Sequence, residues 1–492
     1  MSELPVVVGV GQVTHRDDDD LAAAEPLELL LAAARAAEDD AGARLLEQVD
    51  SIELMPIGAW PYDDLGALVV ERLGLDAARV RARVHPVGGE TPLRALDVSA
   101  ARIASGAARV VLVAGAEGTR AVTRARRSGV ELPWTPAGSR PTLPALGPEL
   151  QRASAVGISR AISGFPLYEH ALRAHEGSSL AEAQSESANL WAGLTEAAAA
   201  NPYAWARAVR TADEIAHVGP DNRMVSFPYS KLLSANPYVN QGGALLVTDA
   251  ATARAAGIPE DRWVHPLGSA GADEPTDPRA RVAYHHVPAL DVTVGDVQEV
   301  TGVDAADYDV VELYSCFPVM PKLTRRALGR APGAPISVTG GLSYFGGPGS
   351  NYLTHAIAAM VERLRGDAST GFIHGVGMFN TKHHGLVLAD RPRRDGTYPT
   401  PRFDVGVPRP PVAPPVVVDE DYRGPARILA CTVMYDREGA PERGAVVGTG
   451  ARGERVAARV DDPDTLHELT SGVEPVGREG TVTIDAVPVF AL

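Results

Sequence analysis

Gly340-Gly341-Leu342-Ser343-Tyr344-Phe345-Gly346-Gly347-Pro348-Gly349-Ser350-Asn351 opens on a glycine pair, closes on a second glycine cluster and runs into a helical pattern over Asn351–Arg365. Glycines ahead of a helix let the backbone approach a ligand closely and aim free N–H groups at it. In isolation such a cluster is more often a tight strand-to-helix turn. Its neighbours in the chain decide what it is.

Upstream, Val292–Thr301 reads as a helix, Asp307–Tyr314 as a buried strand and Val319–Leu328 as a second helix. Downstream, Gly371–Gly375 and Gly385–Asp390 read as strands. The same order occurs earlier: strand Pro5–Val13, helix Pro26–Ala41, strand Val49–Met55 and helix Tyr62–Leu73. A helix then opens at Thr91-Pro92, with Thr91 as its cap, before the apolar strand Arg109–Gly115. Gly242–Asp249 is a further strand, followed by the short helix Ala250–Ala256. Repeated strand–helix alternation predicts two related α/β halves, 1–275 and 276–406. An arginine-rich excursion over about 117–235 interrupts the first, where elements covering a substrate are expected. A proline-rich linker, 407–418, then precedes a short-stranded unit, 419–492, that suits a small β-barrel.

Composition narrows the class. The 492 residues are 45% hydrophobic and 22% charged, as in soluble globular proteins, and carry a net charge of -16. That charge argues against nucleic acid or an anionic membrane as the main partner, without excluding a local basic pocket. No apolar run reaches the roughly 18–20 residues of a membrane span. The N-terminal stretch shows no secretory pattern, and the two cysteines, Cys316 and Cys431, lie far apart. A reducing, cytoplasmic location is expected, with no disulfide framework and no metal site. Lysine occurs only at 231, 322 and 382, which limits any Schiff-base mechanism to three candidates.

Over about Pro5–Asp390 the chain resembles the thiolase superfamily. Ala114-Gly115-Ala116-Glu117 is similar to the Ala-Gly-Gly-x-Glu strand end of thiolases, and Asn240-Gln241-Gly242-Gly243-Ala244 to their Ser-Asp-Gly-Ala-Ala entry. Tyr314-Ser315-Cys316-Phe317 looks like the Asn-Glu-Ala-Phe loop, and is closer to the His-Asp-Cys-Phe loop of sterol-carrier-type thiolases. The opening stretch matches the Gly-Gly…Gly-His-Pro motif. With the appended tail, the chain also resembles the actinobacterial thiolase-like proteins of type 1. The resemblance implies an α/β thiolase fold, two similar halves in a layered αβαβα core, plus an oligonucleotide-barrel-like C-terminal domain.

The departures bear on chemistry. The thiolase nucleophilic cysteine falls on Gly89, the Gly-His-Pro histidine on Gly347, and the late proton-exchanging cysteine near Gly375. An acyl-cysteine mechanism therefore has no nucleophile. Cys316 matches an acid–base cysteine, although a cysteine after a strand is more often a packed hydrophobe. Tyr314 and Tyr344 are phenols in the two pocket loops, and His374 falls by analogy in a pocket-facing turn. These four are the candidate catalytic residues. Gly89, Glu90, Gly340, Gly341, Gly346, Gly347 and Lys382 are the candidate ligand-binding residues, with the arginines of a loop at Arg120–Arg127 as an alternative to Lys382 for an anionic CoA tail. Glu90 is more often a cap-region carboxylate than a base.

The resemblance implies a protein that binds CoA or an acyl-CoA as substrate or ligand, with no covalently bound cofactor and no Claisen thiolase activity. Two alternatives stay open: a CoA-thioester acyltransferase or retro-aldol lyase working through tyrosine and cysteine, and a non-catalytic module whose barrel engages a protein partner. Whether the chain is an enzyme, its acyl specificity, and whether it is a monomer or a homodimer are not set by the sequence.

Overall fold

Strands without a polar face belong between two layers, and the apolar runs of this chain are used that way. The computed structural model describes residues 4–139, 146–401 and 409–492. The expected domain boundary at 406–408, with Val407 and Pro408, lies outside the described residues. β1 (Pro5–Thr14), β2 (Ser51–Leu54), β3 (Arg81–Val84) and β4 (Val110–Glu117) come first. A hairpin, β5 (Met224–Phe227) and β6 (Tyr229–Ser230), precedes β7 (Gln241–Asp249) and β8 (His265–Asp273). β9 (Val310–Leu313), β10 (Thr370–Gly377) and β11 (Lys382–Ala389) complete the core.

One sheet has the order β1-β7-β4-β2-β3 and the other β8-β11-β10-β9. Helices Thr91–Ala104 and Tyr352–Leu364 lie between them and touch strands of both. Helix Pro26–Ala41 covers the outer face of the first sheet, and Pro288–Thr301 and Val319–Ala327 cover the second. The core is thus the five-layered αβαβα stack that the resemblance implied. Four strands escaped the sequence reading: β3, β8 and the hairpin pair β5 and β6. β3 alternates arginine with apolar residues at an exposed edge. β8, His-Pro-Leu-Gly-Ser-Ala-Gly-Ala-Asp, has little intrinsic strand preference and is fixed by pairing with β11. The cap of helix Thr91–Ala104 falls on Glu90 rather than Thr91, whose hydroxyl instead donates to the Pro86 carbonyl at 3.0 Å.

The excursion is largely helical, with Thr119–Ser128, Pro148–Ala155, Ala161–Glu176 and Leu180–Ala200 among its described residues. Arg120–Arg127 is therefore a helix and not a loop. The tail forms β12 (Gly424–Tyr435), β13 (Pro441–Gly450), β14 (Arg455–Val460), β15 (Glu479–Asp485) and β16 (Val487–Ala491). These five strands close into a barrel, because β12 pairs with β13 as well as with β15. The run Gly480–Val489 is split between β15 and β16, with Ala486 at φ 55° between them. The proline-rich stretch lies along the core: Val412 N–H donates to the Asp273 carbonyl at 2.9 Å and Val416 N–H to that of Ala280 at 3.0 Å. No described helix is long and apolar enough to cross a membrane.

Candidate functional site

The glycine-rich loop is anchored by a buried carboxylate. Glu312 on β9 accepts from Tyr352 Oη at 2.5 Å, Ser337 Oγ at 2.8 Å and the Val338 N–H at 2.8 Å. Burial raises its pKa, and the hydrogen bond from Tyr352 opposes that rise most strongly. These contacts fix the segment entering Gly340, which takes φ 109° and where a Cβ would lie 2.5 Å from that of Ala198. Only glycine fits there. The excursion then holds the single π turn Gly341–Phe345. Trp205 and Ala206 donate to the Phe345 and Tyr344 carbonyls at 2.9 and 2.8 Å, and Asn236 N–H donates to that of Leu342 at 2.9 Å.

That bracing uses up the backbone donors expected to cradle a ligand. Gly340 N–H donates to Ser337 Oγ at 2.9 Å, Gly341 N–H to Thr339 Oγ1 at 3.1 Å and Gly347 N–H to the Asn236 carbonyl at 2.8 Å. Gly346, at φ 113°, takes the backbone out of the turn.

The three positions where the resemblance places lost side chains differ in the space around them. At Gly89 a Cβ would fall 2.2 Å from Tyr314 Oη and 2.3 Å from the Val376 carbonyl oxygen. The tyrosine hydroxyl occupies the space that a side chain at Gly89 would need. At Gly375 a Cβ would meet Leu353 Cδ1 at 2.6 Å and Glu90 Cα at 2.9 Å. At Gly347 the nearest atoms are the Asn236 oxygen at 3.5 Å and Leu342 Cδ2 at 3.7 Å, which is ordinary contact. Glu90 fills part of the old centre as well: its carboxylate lies where a Cβ on Gly88 or Gly377 would be. Burial raises its pKa, against the pull of Lys382 and of Arg94, the latter 3.7 Å away.

The candidate catalytic groups differ in their surroundings. Cys316 and Tyr314 are buried, and burial pushes both pKa values up, so both are neutral at neutral pH. His374 is not in a turn but inside β10. Its ring lies 3.1 Å from Thr324 Oγ1 and 3.2 Å from His383 Nδ1, and burial lowers its pKa to about 3. His384, on the opposite face of β11, is 2.9 Å from Ser269 Oγ. Lys382 begins β11 across from Asp273. Of the four candidates, Tyr344 lines a groove. Its hydroxyl is buried and has no hydrogen-bond partner among the described residues, and burial keeps it protonated. It is a donor in need of an acceptor.

The space that Tyr344 borders is a groove of about 1060 Å³ between the core and the barrel. Ser343, Tyr344 and Phe317 form its inner wall. Helix Thr119–Ser128 contributes Arg120, Arg124 and Arg127, and later parts of the excursion add Arg160, Arg210, Arg223 and Lys231. The barrel adds Met434, Tyr435 and Arg437. Eight cations thus face one groove, and no carboxylate lines it among the described residues. Asp18 holds two of the arginines from behind, Arg120 at 2.5 Å and Arg124 at 3.1 Å. Such a groove suits an elongated anion with an apolar end directed at Tyr344. Sequence reasoning reached the arginines of the first helix and missed Arg160, Arg210, Arg223 and Arg437. Their signal was diffuse, since nearly all the positive charge of the chain is arginine.

Residues 408–486 match the family model described as "Thiolase-like protein type 1 additional C-terminal domain". A crystal structure of a monomeric SCP2-thiolase like protein type 1 from Mycobacterium smegmatis is similar at a TM-score of 0.81 and 28% identity, covering 100% of this chain and 99% of that one. The Ltp2-ChsH2(DUF35) aldolase is similar at 0.60 and 19%, covering 79% of this chain and 98% of that one. Human mitochondrial 3-ketoacyl-CoA thiolase in complex with CoA is similar at 0.58 and 16%, with 79% and 98% covered. The last two establish a shared fold. No curated protein matches the chain by sequence.

Proposed function

The chain belongs to the thiolase-like proteins of type 1, and from that premise we propose that it binds CoA or an acyl-CoA thioester in the basic groove without forming an acyl-cysteine. The carrying observation is the groove itself: eight cations and no carboxylate among its described walls, in a chain of net charge -16. A CoA thioester has the matching form, with phosphates at one end and an apolar acyl group at the other. Its thioester carbonyl is an acceptor for Tyr344, whose hydroxyl is otherwise unpaired among the described residues. The thiolase in complex with CoA supports the choice of ligand as a fold-level analogy. Tyr314 closes the nucleophile position at Gly89, so Claisen condensation through a cysteine is not part of the proposal.

Calorimetric titration with CoA and acetyl-CoA tests the binding. Saturable binding that weakens as salt rises is expected, because the recognising charges are exposed to screening. No heat with either ligand at millimolar concentration would remove the proposal. Robust thiolysis of acetoacetyl-CoA would overturn the chemical half of it.

A further inference from the structure

We infer that the C-terminal barrel is itself part of the ligand site, with Arg437 and Tyr435 receiving the nucleotide end of the ligand. This rests on the CoA reading and deepens it by saying which part of the molecule the barrel recognises. The barrel forms a wall of the same groove that contains Tyr344. That wall is fixed in place. The end of β12 pairs antiparallel with β5, Val433 with Phe227 and Met434 with Ser226, so the core hairpin extends the barrel's own sheet. Ser226 Oγ and Thr432 Oγ1 lie 3.2 Å apart across this seam. Arg223 Nη1 donates to the Met224 carbonyl at 3.0 Å and to that of Asp436 at 3.4 Å. One groove cation from the core is thereby fastened to the barrel loop that carries another, Arg437.

The groove also has a direction. Tyr344 is 3% exposed at the inner wall, whereas Tyr435 is half-buried and Arg437 is exposed. An acyl thioester prefers the dry end, and phosphates stay partly hydrated at the wet end, where a guanidinium can bind them through paired N–H groups. A tyrosine ring beside that guanidinium offers a face for adenine. The chemical class taken by the barrel is therefore an adenosine phosphate, the part of CoA that distinguishes it from a pantetheine thioester.

The test is calorimetry on the full chain with CoA and with adenosine 3′,5′-bisphosphate, using Arg437→Gln, Tyr435→Ala and the charge-matched control Arg427→Gln. Arg427 is an exposed barrel residue paired with Glu479 and does not line the groove. Arg437→Gln and Tyr435→Ala are each expected to weaken both ligands by about fivefold, the size of one exposed charge or stacking contact, with an unchanged melting temperature for Arg437→Gln and a lowered one for Tyr435→Ala, whose ring also packs against the barrel core. Arg427→Gln is expected to match wild type. If wild type binds CoA and both groove variants bind it equally well, or if Arg427→Gln weakens it as much as Arg437→Gln, the barrel assignment falls and the CoA reading stands. If wild type binds neither ligand, both fall.

Discussion

Replacing Gly89 with cysteine would restore the thiolase nucleophile on paper, and the structure predicts that it destabilises the protein without restoring activity. The new Cβ would lie 2.2 Å from Tyr314 Oη and 2.3 Å from the Val376 carbonyl oxygen, where ordinary contact begins at 3.4 Å. Both neighbours would have to yield by more than an ångström. Neither is free to do so. The Tyr314 ring packs edge-on against Tyr352 at 5.8 Å, and Tyr352 is itself hydrogen-bonded to Glu312. Val376 sits inside β10, paired with His383 of β11. Overpacking typically costs about 1–3 kcal/mol, and displacement of a strand carbonyl puts this case at the upper end, about 3 kcal/mol. At roughly 2 °C per kcal/mol for a large domain, the melting temperature should fall by about 6 °C. Gly347→Ala, with no neighbour inside 3.5 Å, should stay within about 0.5 kcal/mol of wild type. Thermal melts of both variants, with an acetoacetyl-CoA thiolysis assay on Gly89→Cys, decide the matter. A Gly89→Cys protein that melts with wild type and carries out thiolysis would refute the exclusion.

Three further outcomes are expected. Tyr344→Phe removes a buried hydroxyl that lacks a partner among the described residues, so stability should change by less than about 0.5 kcal/mol, while calorimetry should show weaker binding of acetyl-CoA and unchanged binding of CoA, which has no thioester carbonyl. Lys322 is buried, 2.6 Å from Glu169 and 3.0 Å from the Ala183 carbonyl, and Lys322→Met should cost about 3–5 kcal/mol by leaving Glu169 without its counter-charge, read as a lowered urea midpoint that the double variant Lys322→Met/Glu169→Gln, which keeps an acceptor for Tyr229 Oη at 2.8 Å, partly recovers. His355, beside Gln12 Oε1 at 3.0 Å, has its pKa lowered by burial to about 3; it stays neutral when folded and protonates when unfolded, so its contribution is complete above about pH 6.5 and is lost as the pH falls towards the folded value. The stability advantage of wild type over His355→Leu should therefore shrink by about 1.4 kcal/mol per pH unit between pH 6 and 4, and a gap that does not change with pH in urea titrations would contradict the burial.

The layered core was legible because its strands and helices carry their own periodicity: Arg109–Gly115 and Gly242–Asp249 needed no partner to be recognised as buried strands. β8 was not legible, since a glycine- and alanine-rich run becomes a strand only through β11. The hairpin β5–β6 was hidden for the same reason, being defined by the barrel strand it joins 200 residues later. Motif order pointed to Gly89, Gly347 and Gly375 but could not say what surrounds them. That depends on where Tyr314 and Glu90 point, which is a property of packing. The groove was the least legible feature, because its cations come from separate elements and its outer wall from a different domain.

The unequal room at the three glycines separates two kinds of loss. At Gly347 a Cβ would fit without moving a neighbour. At Gly89 and Gly375 the volume has been taken over, by the Tyr314 hydroxyl, the Val376 carbonyl, Leu353 and the Glu90 backbone. A nucleophile could return to Gly89 only if the Tyr314 ring and a strand of the second sheet moved together. The backbone donors of Gly340, Gly341 and Gly347 are likewise turned inward to brace their own loop. The loop over 340–347 is packed around Tyr344, and the cation-lined surface lies outside it, on the excursion and the barrel. On the proposed reading, binding draws on the groove cations and not on the three glycine positions, and Tyr344 is the candidate group that lines the groove.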